Sequence, residues 1–502
     1  MVVSRRWQAF SPAGGPGNAM IRWLVLVTLL SVLALLPVSA GRAAPLAFTQ
    51  GVAAGDVRPF SAVLWTRVDG EAVLVAEVSA DPSFAAGVLK RVAVATADND
   101  FTARAAVAPL TPDTAYFYRW RHGSAQSEVG TFKTPPLPSR TADVRFVYAG
   151  DSDGSGDPPL NNFEVLDRAR EEGPDFLVYL GDTVYMDTHP PFGTDLPSMR
   201  DKYKENRGFP ALRDMLAATS TYAIWDDHEV TNDYAGQTVD PALYAAGREA
   251  FREYMPLGNV PLHDPTCAGD PLFRTFGWAR DVDVIVLDER SCRSGSVETA
   301  CQMDLAPALP PAIRTSLGLP PSPPPGCLEA LNDPARTMLG PVQKQALKAA
   351  LLSSRARFKF IINEVPVMEL FALPYDRWEG YAAERAEILR FIRDQDIENA
   401  VFLTTDFHVT LFDEVDLSLF VDPRPIAREF VTGPIAAGNL RGFPPGVVAL
   451  AQAILGLIGV DCSDLTSFSY GLVEVDAAAG TASVKSKDDL GNTLCAATVG
   501  GP

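Results

Sequence analysis

Four short apolar runs of this chain each end in acidic or metal-binding side chains. Val144-Arg-Phe-Val-Tyr-Ala-Gly150 leads to Asp151 and Asp153, and Asp175-Phe-Leu-Val-Tyr-Leu180 leads to Asp182 and Tyr185. Thr221-Tyr-Ala-Ile-Trp225 leads to Asp226-Asp227-His228-Glu229, and Asn399-Ala-Val-Phe-Leu403 leads to Asp406 and His408. Continuous apolar runs of this length predict strands buried on both faces, as in a parallel sheet. In open α/β sheets the ligand crevice lies at the carboxyl ends of such strands. Carboxylates, a phenol and two imidazoles converging there repel one another unless cations hold them together. The pattern predicts an α/β fold carrying a metal-dependent hydrolytic centre.

Between the first two runs, Phe163, Leu166 and Ala169 recur at helical spacing, which makes a βαβ unit and hence parallel pairing. Further strands are expected over 283–287 and 358–362, and helices over 241–254, 342–352 and 382–394. Residues 46–138 alternate polar and apolar positions in short runs separated by turn residues, which predicts a small antiparallel β-sandwich domain. Leu110-Thr-Pro-Asp-Thr-Ala-Tyr-Phe-Tyr-Arg119 resembles the corner and strand of a fibronectin type III-like domain, and Pro135, Pro136 and Pro138 mark the linker out of it. The larger domain is expected over 142–498.

Residues 1–44 are expected to be a secretory signal with an over-long start. Met20-Ile-Arg22 is a short basic region, Trp23 to Val38 is apolar, and Val38-Ser-Ala40 suits signal-peptidase cleavage. Ser4-Arg5-Arg6 offers a twin-arginine alternative, and either route exports the chain to the periplasm or beyond. No membrane anchor is expected to remain in the mature protein. The net charge of −19 leaves no basic track for nucleic acid. Six cysteines, none in a metal-ligand spacing, fit disulfides in an oxidising compartment, with Cys292–Cys301 and Cys462–Cys495 the preferred pairs.

A cysteine-rich insertion near 292–330 holds eight prolines between Pro307 and Pro325, so it is neither regular helix nor central strand, and its cysteines favour an ordered cover. Residues 446–460 are apolar nearly all round, which fits a buried helix or an apolar lid beside the site.

The motifs together resemble the PhoD alkaline phosphatase family of the calcineurin-like metallophosphoesterases. The resemblance rests on Trp225-Asp-Asp-His-Glu-Val-Thr-Asn-Asp-Tyr-Ala-Gly236, Leu287-Asp-Glu-Arg290, Arg336-Thr-Met-Leu-Gly340 with Gln343, and Glu429-Phe-Val-Thr432. Phe48-Thr-Gln-Gly-Val-Ala-Ala-Gly-Asp56 and Leu64-Trp-Thr-Arg67 extend it to the N-terminal domain. It implies a metallophosphoesterase-like αββα sandwich whose dinuclear or larger metal centre hydrolyses phosphate esters. Asp182 matches the carboxylate that bridges the metals, and Tyr185 the tyrosinate of ferric sites. Asp227, Asn363, Asp406 and His408 match further ligands, and His228 matches the histidine that protonates or steadies the leaving group. The family implies calcium beside iron. Members with that pair carry cysteine where this chain has Asp151, followed by Asp153. An oxygen donor there is harder than thiolate, so zinc and manganese stay open. Small phosphate mono- or diesters are the implied substrates. A phospholipid-directed diesterase and an inactive cation-binding surface protein are the other readings. Oligomeric state is not legible.

Overall fold

The computed structural model describes residues 46–501; the expected signal segment lies outside them. Two mixed sheets pack face to face. The first runs, in spatial order, Thr493–Gly500, Thr481–Asp488, Ser469–Asp476, Val144–Ala149, Phe176–Leu180, Ser220–Ile224, Phe48–Arg58, Ser61–Val68, Thr102–Val107. The second runs Arg274–Trp278, Val282–Val286, Phe358–Ile362, Ala400–Thr404, Ala427–Val431, Thr410–Val415, Cys462–Asp464. Within each, the central strands are parallel and buried on both faces, as their continuous apolar sequences require.

Aromatic side chains fill the space between the sheets. Phe146 meets Phe360 edge-on at 5.1 Å, and Phe176 lies 4.7 Å from Trp278. Burying one such ring contributes roughly 1.5–3 kcal/mol. Helices cover the outer faces. On the second sheet, Leu347, Leu351, Ile388, Leu389 and Ile392 of Gly340–Ser353 and Ala382–Asp394 pack on Ile361 and Phe402. Glu164–Glu171 completes the βαβ unit on the first. The architecture is the αββα sandwich.

The strands of 46–138 divide between two layers. Phe48–Arg58 pairs parallel with Ser220–Ile224, so it extends the first sheet, followed by Ser61–Val68 antiparallel to it and Thr102–Val107 antiparallel to that. Ala72–Ser79, Leu89–Ala95, Ala115–His122 and two short strands form a separate antiparallel sheet. The two layers enclose a core that includes Leu64, Leu74, Tyr118 and Trp120.

The cysteines pair as Cys267–Cys292, Cys301–Cys327 and Cys462–Cys495, with none free. The expected Cys292–Cys301 pair is therefore wrong; proximity in sequence misled, because Cys292 faces the loop carrying Cys267. Cys301–Cys327 closes the proline-rich insertion on itself. A buried Arg314–Asp304 ion pair and a hydrogen bond from the Tyr375 hydroxyl to the Asp304 carbonyl (2.6 Å) hold that insertion over residues 371–376.

The apolar segment forms the helix Pro445–Ile458, but it is not the buried helix its composition suggested. Leu455 alone is buried, and Val447, Leu450, Ile454 and Leu457 face outward. No helix among the described residues is long and apolar enough to cross a membrane.

Candidate metal centre

All the parallel strands of both sheets end at one rim, and there the backbone turns sharply. Asp151, Asp182, Asp406 and His408 take left-handed φ values between 45° and 66°. Such backbone at a non-glycine residue costs on the order of 1–3 kcal/mol and persists where the surroundings over-determine it.

Three sets of side chains bring ligand atoms within 4.8 Å of one another: Asp151, Asp182 and His408; Asp182, Asp227 and His228; and Asp226, Asp227 and Asp406. Asp182 belongs to the first two sets and Asp227 to the last two, so the carboxylates form a continuous line. Burial pushes the Asp151 carboxyl far above the usual range, against the Asp406 amide that donates to it (3.1 Å). Burial, then Asp227 and Asp226, does the same to Asp182; burial, then Asp226 and Asp376, does so to Asp406. Arg290 answers part of this charge. Its fully buried guanidinium pairs with Asp226 and with Asp376 (2.8 Å), and lies 3.7 Å from Asp227 and 4.0 Å from Asp406. Against burial, Arg290 and then His228 hold Asp227 at about 2.

The residues fit metal ions. Asp151 Oδ2 and Asp226 Oδ2 are buried with no hydrogen-bond partner, which is costly for a carboxylate oxygen unless a cation takes it. Gly433, at φ +116°, leaves the space beside Asp151 open; a Cβ there would lie 2.5 Å from Oδ2. His408 donates from Nδ1 to the Gly438 carbonyl (2.6 Å), which fixes Nε2 as the acceptor, and burial lowers the ring to about 4. That Nε2 accepts from the Tyr185 hydroxyl at 2.9 Å. Burial, then Asp182 and Asp151, raises the Tyr185 phenol well above its ordinary value, so a cation must displace its proton to gain a phenolate ligand.

His228 stacks on Tyr185 with ring centroids 4.2 Å apart. Its Nδ1 meets Asp187 Oδ1 at 2.5 Å, and Asp187 Oδ2 accepts the Asn232 amide at 2.6 Å. Burial lowers the imidazole's pKa, but Asp227 and Asp187 overcome it and carry the group to about 9.

Two further expected ligands are hydrogen-bonded to neighbouring side chains. Asp153 accepts from the Ser155 amide (2.9 Å) and hydroxyl (2.5 Å) on one oxygen and from the Thr188 hydroxyl (3.0 Å) on the other, with His189 Nδ1 at 3.5 Å. A carboxylate has about four acceptor positions, and these hydrogen bonds take three of them at Asp153. Asn363 accepts from Trp378 Nε1 (3.0 Å) and donates to the Val365 carbonyl and to Thr404 Oγ1 (3.3 Å), which braces the base of the second sheet's strand ends. Conversely, Asp187 and the roles of Asp226 and Arg290 were not assigned from sequence. Asp187 follows Tyr185 by two residues, and only the hydrogen bond to a histidine 41 residues away distinguishes it from a loop acid.

A cleft of about 370 Å³ leads to Asp406 between Asp376, Arg377, Tyr375, Leu373 and Glu298. The PhoD-like phosphatase family model matches residues 154–457, and the model of that family's N-terminal domain matches residues 36–136. The chain belongs to the PhoD-like phosphatase family. It is 27% identical over 436 residues to alkaline phosphatase D of Bacillus subtilis (strain 168), covering 78% of this chain and 70% of that protein. Its fold matches the solved structure of PhoD with a TM-score of 0.74 at 22% identity, covering 90% of this chain and 89% of the other. It also matches purple acid phosphatase PPD1 from yellow lupin (Lupinus luteus) seeds, with a TM-score of 0.56 at 12% identity over 89% and 73% of the two chains. The family implies divalent metal cofactors, and the acidic sets above bring ligand atoms close enough together to take them.

Chelation exposes the repulsion that the cations offset. Burial raises Asp226 to about 7 against the pull of Arg290, and it also holds Asp151, Asp182 and Asp406 above their usual range. A carboxyl whose folded pKa lies above its unfolded value contributes stability below that unfolded value and loses it as pH rises through the folded one. The chelated protein is therefore expected to melt at a lower temperature at pH 8 than at pH 5.5, with added metal closing the gap. Thermal unfolding with and without chelator at both pH values measures it; an unchanged or reversed pH dependence contradicts it.

Proposed function

We propose that this chain is an exported, metal-dependent phosphoesterase that hydrolyses phosphate mono- or diesters, with calcium beside iron in its centre. The observation that carries this reading is Asp182, a buried carboxylate common to two adjacent ligand sets. Asp151, His408 and Tyr185 would hold one ion, Asp227 the second, and Asp182 both. Asp406, with Asp226 and Asp227, extends the acidic line toward Arg290. When bound, the metals supply positive charge to the phosphoryl oxygens and acidify water.

The protein's own groups do the rest. His228 holds a proton, and with Nδ1 fixed by Asp187 its Nε2 edge is the one free to face a leaving oxygen. Tyr185 backs the imidazole ring and limits its rotation. The insertion narrows the approach to Asp406 through Ser296 and Glu298. Three disulfides support an oxidising, exported setting. An inactive cation-binding role is not favoured, because the chain belongs to the PhoD-like phosphatase family and its acidic sets and the His228–Asp187 pair support a working centre.

A second reading, in which the ester is amphiphilic, such as a phospholipid diester, would draw on the outward apolar face of Pro445–Ile458. The test is metal analysis of the purified protein with a panel of one phosphomonoester, one soluble diester and one phospholipid. Two or more ions per chain and turnover of at least one ester support the proposal. Iron should give a visible charge-transfer band that depends on Tyr185; zinc or manganese gives none. An Asp151→Ala protein with native metal content and native activity would remove the first strand end from the centre and overturn the assignment.

A further inference from the structure

A single loop joins the proline-rich insertion to the acidic line. Within residues 371–376, Phe371 packs with Ala306 and Leu309, and Tyr375 packs with Val297, Leu331 and the Cys301–Cys327 disulfide. Two hydrogen bonds fix the direction of the loop. The Leu373 amide donates to the Leu305 carbonyl (2.8 Å), and the Tyr375 hydroxyl donates to the Asp304 carbonyl (2.6 Å). The insertion thereby sets where Asp376 stands.

Asp376 faces two fully buried arginines. Arg290 Nη1 and Nη2 each donate to one of its oxygens at 2.8 Å, and Arg293 Nη1 shares the first of them. A fork-to-fork pair of this kind fixes the plane of the guanidinium as well as its distance. Arg290 Nε is spent on Asp226, so the plane is pinned at both ends. Held in this way, Nη2 stops 3.7 Å from Asp227 and 4.0 Å from Asp406. Both gaps exceed hydrogen-bond length, so Arg290 leaves these two carboxylates to other partners. A guanidinium released from Asp376 would close on them, and its charge would oppose a metal ion there.

We propose that Asp376 is a positioning residue that holds Arg290 back from Asp227 and Asp406, and that the disulfide-closed insertion, by seating Asp376, sets how tightly those carboxylates take their cation. The inference rests on the reading of the acidic line as a metal site, and it adds the element that tunes that site.

The test titrates calcium and manganese, each alone, into the chelated full chain and reads ion number and Kd by calorimetry. Asp406→Asn touches only the set shared with Asp226 and Asp227, so the ion it weakens marks the site concerned. Asp376→Asn keeps the size of the side chain but gives up its charge and one acceptor oxygen. It should weaken that same ion about tenfold or more, the scale of a hydrogen bond to a charged group. Tyr375→Phe and the Cys301→Ser, Cys327→Ser double variant should weaken it in the same direction by a smaller factor. Neither should add to the loss in the Asp376→Asn background, because both act through that residue. Combining Asp376→Asn with Arg290→Gln removes the competing guanidinium and should return the affinity to that of the parent. Unchanged affinity in Asp376→Asn, or weakening of a different ion from the one Asp406→Asn marks, overturns the inference. So does a folded Asp376→Asn, Arg290→Gln protein with no recovery, which would make Asp376 a ligand. A Tyr375→Phe protein with the affinity of the parent removes the insertion from the account and overturns it as well. In each of these cases the acidic line remains a metal site, whereas a parent that takes up neither ion defeats that reading itself.

Discussion

Asp182→Asn is expected to cost both metal and activity, with kcat/KM falling by about 10³-fold or more. A bound metal contributes several kcal/mol of transition-state stabilisation, and about 4 kcal/mol corresponds to 10³ in rate. One residue has so large an effect because its carboxylate stands in both ligand sets. The substitution also removes a buried charge that Asp227 and Asp226 repel. The metal-free variant should therefore melt at a higher temperature than the metal-free parent at pH 8, although it is the poorer enzyme. Metal content by elemental analysis, activity and melting of the chelated proteins give three independent readouts. Loss of activity with both metals retained would show that Asp182 is not the shared ligand.

The sequence made the fold legible where chemistry and periodicity agreed. Helices over Pro241–Tyr254 and Ala382–Asp394 and the strand Phe358–Ile362 fall at their expected bounds, because proline, aspartate and apolar runs punctuate them clearly. The strand-end acids were legible for the same reason. What was not legible depends on long-range partners. Nothing local says that Asp153 spends its oxygens on Ser155 and Thr188, or that Asn363 is occupied by Trp378. Asp151 and Asp153 look alike in sequence, and their neighbours in space separate them: Gly433 leaves space beside Asp151, while Ser155 and Thr188 engage Asp153. The helix Pro445–Ile458 misled in the other direction. Apolar composition usually means burial, but this helix rests on Leu455, with Val448, Ala451 and Ile458 partly buried beside it, and leaves Leu450 and Leu457 outside.

His228→Ala should lower kcat by about 10²–10⁴, the usual worth of a general acid, and leave metal content near that of the parent. Asp187→Asn should reproduce part of that loss, because it keeps the size of the side chain but gives up the charge that faces Nδ1. Burial opposes the charged imidazole, and Asp227 and Asp187 sustain it. Without the Asp187 charge the proton leaves at lower pH, so the alkaline fall-off of kcat should move toward neutrality in Asp187→Asn. The double variant should be no slower than His228→Ala alone, since Asp187 acts only through that ring; residues of one unit are non-additive in this way. The alternative is concrete, because His228 also lies within ligand reach of Asp182 and Asp227. If His228→Ala arrives with one metal missing, the imidazole is a ligand, Asp187 orients a ligand instead of an acid, and the proton for the leaving group must come from elsewhere.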